Sequence, residues 1–583
     1  MNPRSADEAW VVNQLSDSVS VVSVSRLLVT DTIPVQDHPA DVVFGAGRAF
    51  VSVAGKNEIW VFDVETRALE KIIPVAGGSP RALVAHPNTG KVYAAFFLAG
   101  NGTTLLPEDR APPQPIFPHI PDRPPQVGLI IEHDDPAWKS EIPYRMPDHD
   151  VVEIDAKTLV VNRYFSRAGT INMALALHPT RPWLYVANTE ARNVVRFEPN
   201  LRGRFLENRL SKIDLATEAV TPFVLDPDAA LPDGTARELA LAQPAALAFD
   251  AGANGLRIYL AAFGSDKIAV LSESGLVLSR IDLTPGSNAS PPQKRGPRGL
   301  ALHPSANCLY VLNRISNTIS IIDTAKRQVI AEFPVGQFDP TPARIRNGRG
   351  FLYDAKLSQR GTVSCASCHV DADFDHLAWD LGDPEGQVEE VRTSAFTHRM
   401  HPLKGPMVTQ TLRGLAGVVL MHWRGDRHDF LSFNPSFQKL LGGRMLEPEE
   451  MLALRDFIDT IVFPPNPNLQ LDGTLPAALA DGDPQAGRTA FAAGSSSVMS
   501  CKDCHKAEPG SGGSHEILPA SFIMESQPFR IVHLRNLYQK QLFNAAPGAM
   551  TIAGFGFGHD GATGSLPEFL ARHDFQAALT NET

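Results

Sequence analysis

Phe50-Val51-Ser52-Val53 leads through a short polar turn into Glu58-Ile59-Trp60-Val61-Phe62-Asp63 and closes on Ile72-Ile73-Pro74-Val75. β-Branched and aromatic residues at alternate positions read as three short strands, because a pleated strand turns successive side chains to opposite faces. The same landmarks occur upstream in Trp10-Val11-Val12-Asn13, Ser18-Val19-Ser20-Val21-Val22 and Thr32-Ile33-Pro34-Val35. They return at Trp183-Leu184-Tyr185-Val186-Ala187-Asn188, at Ile258-Tyr259-Leu260-Ala261-Ala262 and at Leu309-Tyr310-Val311-Leu312-Asn313. The last runs into Ile319-Ser320-Ile321-Ile322-Asp323 and Glu332-Phe333-Pro334-Val335.

Four short strands recurring about every 40 to 60 residues predict an all-β propeller of six or seven blades over residues 1–338. Six units are visible, and a seventh has room only in the less regular stretches. In one unit Lys91-Val92-Tyr93-Ala94-Ala95 is separated from Val151-Val152-Glu153-Ile154-Asp155 by an insertion, about residues 98–150. The repeats resemble the YVTN-type propeller family. His86-Pro87, His178-Pro179 and His303-Pro304 stand at equivalent turns, which favours a structural role over metal binding. The insertion is dense in proline, through Ala111-Pro112-Pro113-Gln114-Pro115 and Pro121-Asp122-Arg123-Pro124-Pro125, and so predicts neither regular strand nor helix. It is either an ordered excursion across one propeller face or a mobile loop.

The second half carries the chemistry. Cys365-Ala366-Ser367-Cys368-His369 and Cys501-Lys502-Asp503-Cys504-His505 use four of the five cysteines in 583 residues. Cys-x-x-Cys-His is the attachment pattern of c-type haem: two thiols add to the vinyl groups, and the tethered histidine supplies a nitrogen to iron. A zinc knuckle would need more thiolates nearby, and a thioredoxin-like dithiol would need a βαβ context. Two covalently attached haem c groups are therefore expected, on Cys365, Cys368 and His369 and on Cys501, Cys504 and His505. Cys308, in Asn307-Cys308-Leu309-Tyr310-Val311, is expected to be a small buried thiol on a strand.

Hydrophobic residues make up 43% and charged residues 20% of the chain, as in ordinary globular proteins. A net charge of −11 argues against nucleic acid and anionic membrane, and no run of eighteen apolar residues predicts a transmembrane segment. The N-terminal residues Met1 to Glu8 lack a charged-then-apolar signal pattern. Haem c is normally attached outside the cytoplasmic membrane, so the expectation is a periplasmic protein whose signal peptide is absent from this sequence.

Arg346-Asn347-Gly348-Arg349-Gly350-Phe351-Leu352-Tyr353-Asp354-Ala355 resembles the helix that precedes the haem motif in class I cytochromes c, and Ala486-Gly487-Arg488-Thr489-Ala490-Phe491 repeats it before the second motif. Helical spacing in Pro448-Glu449-Glu450-Met451-Leu452-Ala453-Leu454-Arg455-Asp456-Phe457-Ile458 closes the first unit, and Pro464-Pro465-Asn466-Pro467-Asn468 reads as a linker. Two mainly α cytochrome c-like domains are thus expected, over 339–468 and 469–583.

The arrangement resembles the bacterial dihaem cytochrome c peroxidase and MauG superfamily. The resemblance rests on His401 before Lys404-Gly405-Pro406, on Thr411-Leu412-Arg413-Gly414, on His422-Trp423-Arg424-Gly425-Asp426-Arg427, on Leu534-Arg535-Asn536 and on His559-Asp560-Gly561. It implies His401 as the distal, displaceable ligand of the first haem, with His398 and Met407 as rivals. It implies Trp423 as a relay between the haems, against a plain packing role, and Glu450 as the acid near a peroxide pocket, against a helix N-terminus. The family's Met or Tyr ligand beyond the His-Asp-Gly stretch has no counterpart, which leaves Met550, Tyr538, His559 and His573 as alternatives. The calcium-binding asparagine expected between His401 and Thr411 is also missing, which puts calcium in question.

A haem with a displaceable sixth ligand can bind peroxide or dioxygen, whereas one with two firm protein ligands only passes electrons. The leading expectation is a peroxidase-like oxidoreductase that takes hydrogen peroxide or another small oxidant, and exchanges electrons with a small redox protein or a quinol-linked partner. The alternatives are a pure electron-transfer cytochrome whose propeller docks a partner, and MauG-like oxidation of a protein or organic substrate. His376, His398, His401, His422 and His428 supply proton-transfer groups around the first motif.

Overall fold

The alternating runs fold as six small antiparallel sheets, the blades of a β-propeller. The computed structural model describes residues 1–251, 255–284, 294–394, 396–470, 472–479, 482–493, 500–505, 516–535, 537–540, 543–552 and 555–572. Blade 1 has three strands, β1 (Glu8–Asn13), β2 (Ser18–Ser23) and β3 (Leu28–Pro34). Blade 2 has four, β4 (Pro39–Gly45), β5 (Arg48–Val53), β6 (Glu58–Asp63) and β7 (Leu69–Pro74). Blade 3 opens with β8 (Pro80–Ala85) and β9 (Lys91–Phe96), leaves for an excursion containing the hairpin β10 (Thr103–Leu106) and β11 (Leu129–Glu132), and resumes with β12 (Val151–Asp155) and β13 (Val161–Phe165). β9 pairs with β12, Val92 opposite Ile154, across the insertion as the sequence predicts.

Blade 4 comprises β14 (Ile171–Leu177), β15 (Trp183–Ala191), β16 (Leu206–Asp214) and β17 (Val220–Val224), with short helices α1 (Glu198–Leu201) and α2 (Asp233–Leu239) beside it. Blade 5 comprises β18 (Pro244–Asp250), β19 (Arg257–Ala262), β20 (Lys267–Leu271) and β21 (Val277–Asp282). Blade 6 comprises β22 (Pro297–Leu302), β23 (Cys308–Asn313), β24 (Thr318–Asp323) and β25 (Gln328–Pro334). Cys308 is half-buried at the start of β23 rather than enclosed.

Local chemistry explains the repeat. In each His-Pro turn the imidazole Nδ1 accepts from two backbone N–H groups: Asn88 and Thr89 for His86, Thr180 and Arg181 for His178, Ser305 and Ala306 for His303. An acceptor at that position satisfies turn donors as an Asx side chain does, so these histidines are structural. Asn13, Asn188 and Asn313 stand late in equivalent strands and donate to Ser20, Ser211 and Ser320 on the next.

Five apolar clusters weld blade to blade, from blades 1 and 2 through to blades 5 and 6. Among the described residues none joins blade 6 back to blade 1. Ile73 of blade 2 and Ile281 of blade 5, each 3% exposed, pack against the following blade, whereas Phe333 at the equivalent place in blade 6 is 43% exposed. Val335, two residues on, is 53% exposed.

The described residues of 339–583 carry few helices, short of the two mainly α domains expected. α3 (Ala343–Tyr353), α4 (Ser436–Lys439), α5 (Pro448–Asp459), α6 (Pro484–Ala492) and α7 (Cys501–Cys504) are separated by loops, 3₁₀ turns and two- or four-residue ladders. α3 and α5 approach closely because Gly348 lacks a side chain: a Cβ there would strike the Ala453 carbonyl. The reason for the low helix content is the shared core. Phe351, Val363, Trp379 and Leu454 lie in one cluster with Leu201 and Phe205 of blade 4 and Leu105 of the excursion, so contacts to the propeller shape the chain there. No helix of the described residues is long and apolar enough to cross a membrane.

The excursion, expected to hold no regular strand, contains the β10–β11 ladder and packs on the C-terminal region. Tyr144 meets Phe543 edge-on at 5.5 Å, and Arg145 bridges to Met550. Asp122 accepts two bonds from Arg399, at 2.9 and 3.0 Å.

Candidate functional site

The first motif forms a 3₁₀ turn, Cys365–Ser367, capped reciprocally by Ser364 and Ser367. Its thiols are free, and burial pushes that of Cys365 up to about 12 and that of Cys368 well above its usual range, so both are neutral. His369 follows with its Nδ1 buried and without a hydrogen-bond partner. Burial holds this imidazole neutral, its pKa lowered to about 4.

The propeller holds this motif directly. Gln243 donates to the Ala366 carbonyl at 2.9 Å, between the two cysteines, and Asn208 donates to the Thr362 carbonyl at 2.9 Å. Arg81 at the start of β8 and Arg298 at the start of β22 reach Asp371, two residues past His369, at 2.7 and 3.0 Å, and Arg314 adds a third contact at 3.3 Å. Val370 packs against Phe97 and Ile171 of the propeller. Lys294, buried, ties Asp266 of blade 5 to Asp354 at the end of α3, at 3.1 and 2.9 Å.

The second motif lies on α7, capped by Ser500 and Asp503. The Nδ1 of His505 is 2.8 Å from the Val532 carbonyl, an arrangement that leaves Nε2 free to ligate. The thiols of Cys501 and Cys504 are free. Four free thiols and two imidazoles, one anchored and one with a buried unpartnered nitrogen, fit the donor set of two covalently held haems.

Trp423 stands between these regions. Its side chain packs on the same apolar cluster as Cys365 and Cys368, and its indole N–H donates to the Val408 carbonyl at 2.8 Å. Its own carbonyl accepts from Arg530 N–H at 2.9 Å, two residues before the Val532 that anchors His505. Lys540, whose burial lowers its pKa to about 8, lies 5.6 Å from the Trp423 ring centroid.

His398 and His401 flank one stretch, and each has a buried Nε2 without a hydrogen-bond partner. His401 Nδ1 accepts from Leu403 N–H at 3.0 Å, which fixes its ring. Burial lowers both imidazole pKa values, so both are neutral bases. Met407 forms part of a short ladder opposite Trp379. His422 pairs with Asp426 at 2.9 Å, and a positive charge on it would disfavour protonation of His369.

Glu450 is placed otherwise than the expected acid. Its carboxylate takes two bonds from Arg444, at 2.6 and 2.8 Å, and one from Glu447 N–H, which caps α5. Arg444 first, then the cap, hold its pKa below the usual range, so it is ionised and occupied. Met550, 58% exposed on the bridge to Arg145, is not enclosed as a buried ligand would be, because the excursion pairs with its backbone. His559 is buried beside Phe529, the two rings tilted at 30° with centroids 4.1 Å apart, and Asp560 is close by. Tyr538 is pushed up to about 12 by burial. His573 and Asn536 lie outside the described residues. No group of three or more His, Cys, Asp or Glu among the described residues is arranged to hold a metal ion.

Sequence reasoning missed Asp371 and its arginines, Gln243 and Asp122. The available signal was the Pro-Arg pair that opens both β8 and β22, Pro80-Arg81 and Pro297-Arg298.

No protein-family model matches this chain, and no curated protein matches it. Among solved structures, a selenomethionine-substituted virginiamycin B lyase from Staphylococcus aureus is 11% identical, with a TM-score of 0.36, over 57% of this chain and 83% of the other. Kuenenia stuttgartiensis hydrazine synthase is 18% identical, TM-score 0.32, over 55% and 93%. The dihydro-heme d1 dehydrogenase NirN in complex with DHE is 12% identical, TM-score 0.34, over 58% and 64%. At these identities and TM-scores the likenesses assign no function.

Proposed function

We propose that this chain is a periplasmic dihaem c-type oxidoreductase of the peroxidase-like kind, with two haems held by Cys365, Cys368 and His369 and by Cys501, Cys504 and His505. The observation that carries the reading is the pair of Cys-x-x-Cys-His turns, each with free thiols, one with its histidine anchored through Nδ1. A bound haem with a displaceable ligand supplies peroxide or dioxygen activation, and one with two ligands supplies electron exchange with a small redox protein or quinol-linked partner. His401, its ring fixed through Nδ1 and its Nε2 unpartnered, is the ligand assigned to the displaceable position. His422, oriented by Asp426, holds a proton at its ring nitrogen within reach of the first motif. Trp423, which packs on the same apolar cluster as Cys365 and Cys368 and accepts through its carbonyl from Arg530, is the residue assigned to the relay between the two haems.

One observation favours a pure electron carrier instead. Arg444 and the α5 cap occupy Glu450, which leaves the family's acid out of service.

Haem counting by pyridine haemochrome, followed by optical and EPR spectra with and without peroxide in wild type and His401→Ala, tests the proposal. Two haems, one high-spin or becoming so on half-reduction and altered by peroxide, support it. Two haems that stay low-spin and indifferent to peroxide leave an electron carrier, and a chain without haem overturns both readings.

A further inference from the structure

Three guanidinium groups converge on the Asp371 carboxylate. Arg298 holds it through two bonds, at 3.0 and 3.2 Å, Arg81 at 2.7 Å and Arg314 at 3.3 Å. The neighbouring Asp373 does not share the load, because Arg413 pairs with it at 3.0 Å. Arg81 is further seated 3.6 Å over the Phe97 ring and Arg298 5.5 Å from that of Phe263, so the side chains are held against aromatic faces and not extended into solvent. Tyr353, beside the cluster, is kept neutral by burial, its pKa pushed up to about 12.

Three positive charges against one negative leave this cluster net positive. The turn from His369 to Asp371 spans two residues, at most about 7 Å between Cα atoms. Asp371 and Ala372 both adopt positive φ, 52° and 61°, which bends the chain back toward the arginines. Arg81 and Arg298, each 23% exposed, act over this distance with little screening, and Arg314, 55% exposed, acts with more. Adding one electron to a haem iron lowers the site's charge by one, so neighbouring positive charge favours the reduced state and raises the potential.

We propose that Arg81, Arg298 and Arg314, balanced in part by Asp371, are positioning residues that set the reduction potential of the first haem high, making the propeller an electrostatic part of that site. The inference rests on the haem reading above. It goes beyond that reading by giving the propeller a role in the chemistry.

The test is a mediated redox titration of the haem-loaded full chain, followed optically. The first haem's wave is identified by its loss in Cys368→Ser, and the second haem serves as internal reference. Arg314→Gln is expected to lower the first potential, Arg314→Glu to lower it further, and Asp371→Asn to raise it, with the second wave unmoved. Arg314 is half exposed, so its variants keep the fold even where Asp371→Asn does not. Shifts of the same sign in the Arg314 and Asp371 variants indicate a merely structural role and overturn the inference, as does an unmoved first wave. A wild-type chain without haem overturns the haem reading itself; a loaded chain whose potential ignores Arg314 overturns only the electrostatic role.

Discussion

Val408 joins Trp423 to His559: its carbonyl accepts the indole N–H at 2.8 Å, and its own N–H donates to the His559 carbonyl at 2.8 Å. The aromatic side chain that packs by the first Cys-x-x-Cys-His motif is therefore fixed through one residue to the His-Asp-Gly stretch of the C-terminal region. Packing and relay roles make different demands on the same ring. Trp423→Phe keeps the ring in its half-buried place but leaves the Val408 carbonyl without its donor, a loss of about 1 kcal/mol. Urea denaturation is expected to show that loss, and stopped-flow reduction of the loaded chain is expected to show slower electron equilibration between haems. Unchanged equilibration in a folded Trp423→Phe variant reduces Trp423 to packing.

Ile73 and Phe333 occupy the same place in their blades and meet opposite surroundings. Ile73→Ala empties a site enclosed by blade 3 and is expected to cost about 2 to 5 kcal/mol. Phe333→Ala removes a side chain that leans on no following blade, and is expected to cost under about 1 kcal/mol. Thermal melts of the two variants compare them directly. Equal losses would mean that the outer face of blade 6 is covered in solution.

Asp226 gives a pH dependence with a definite sign. Burial raises its carboxyl to about 6 in the folded chain, from 3.8 as the ordinary value, against the opposing pull of its bonds from Asn208. The folded state therefore binds the proton more tightly than the unfolded state, and stability falls as pH rises from about 4 to 6 and stays lower above. The contribution is at most about 3 kcal/mol. Melting temperatures measured across that window are expected to fall less steeply in Asp226→Asn. A variant that tracks the wild type at every pH removes Asp226 from the account.

The propeller was legible because its signals are local. Strand alternation and the His-Pro turn each span a few residues, and each repeats, so noise in one unit is corrected by the next. The split blade was legible for the same reason, since Val92 and Ile154 retain their pattern on either side of the insertion at about residues 98–150. The C-terminal region lacks that redundancy. The helix spacing around Gly348 and Met451 was readable and yields α3 and α5, but between them the chain follows contacts with Leu201, Phe205 and Leu105 that no periodicity encodes.

By itself the sequence determined a propeller of six or seven blades, the place of the insertion and the two Cys-x-x-Cys-His motifs, because each depends on residues that are neighbours along the chain, and the folded structure fixed the blade count at six. Only the tertiary structure decided that Arg81 and Arg298, more than two hundred residues apart, close on Asp371, that Glu450 is spent on Arg444 and a helix cap, and that Phe333 has no blade to cover it. Charge pairing and burial are fixed by distance in space, and a linear sequence records neither until the chain has folded.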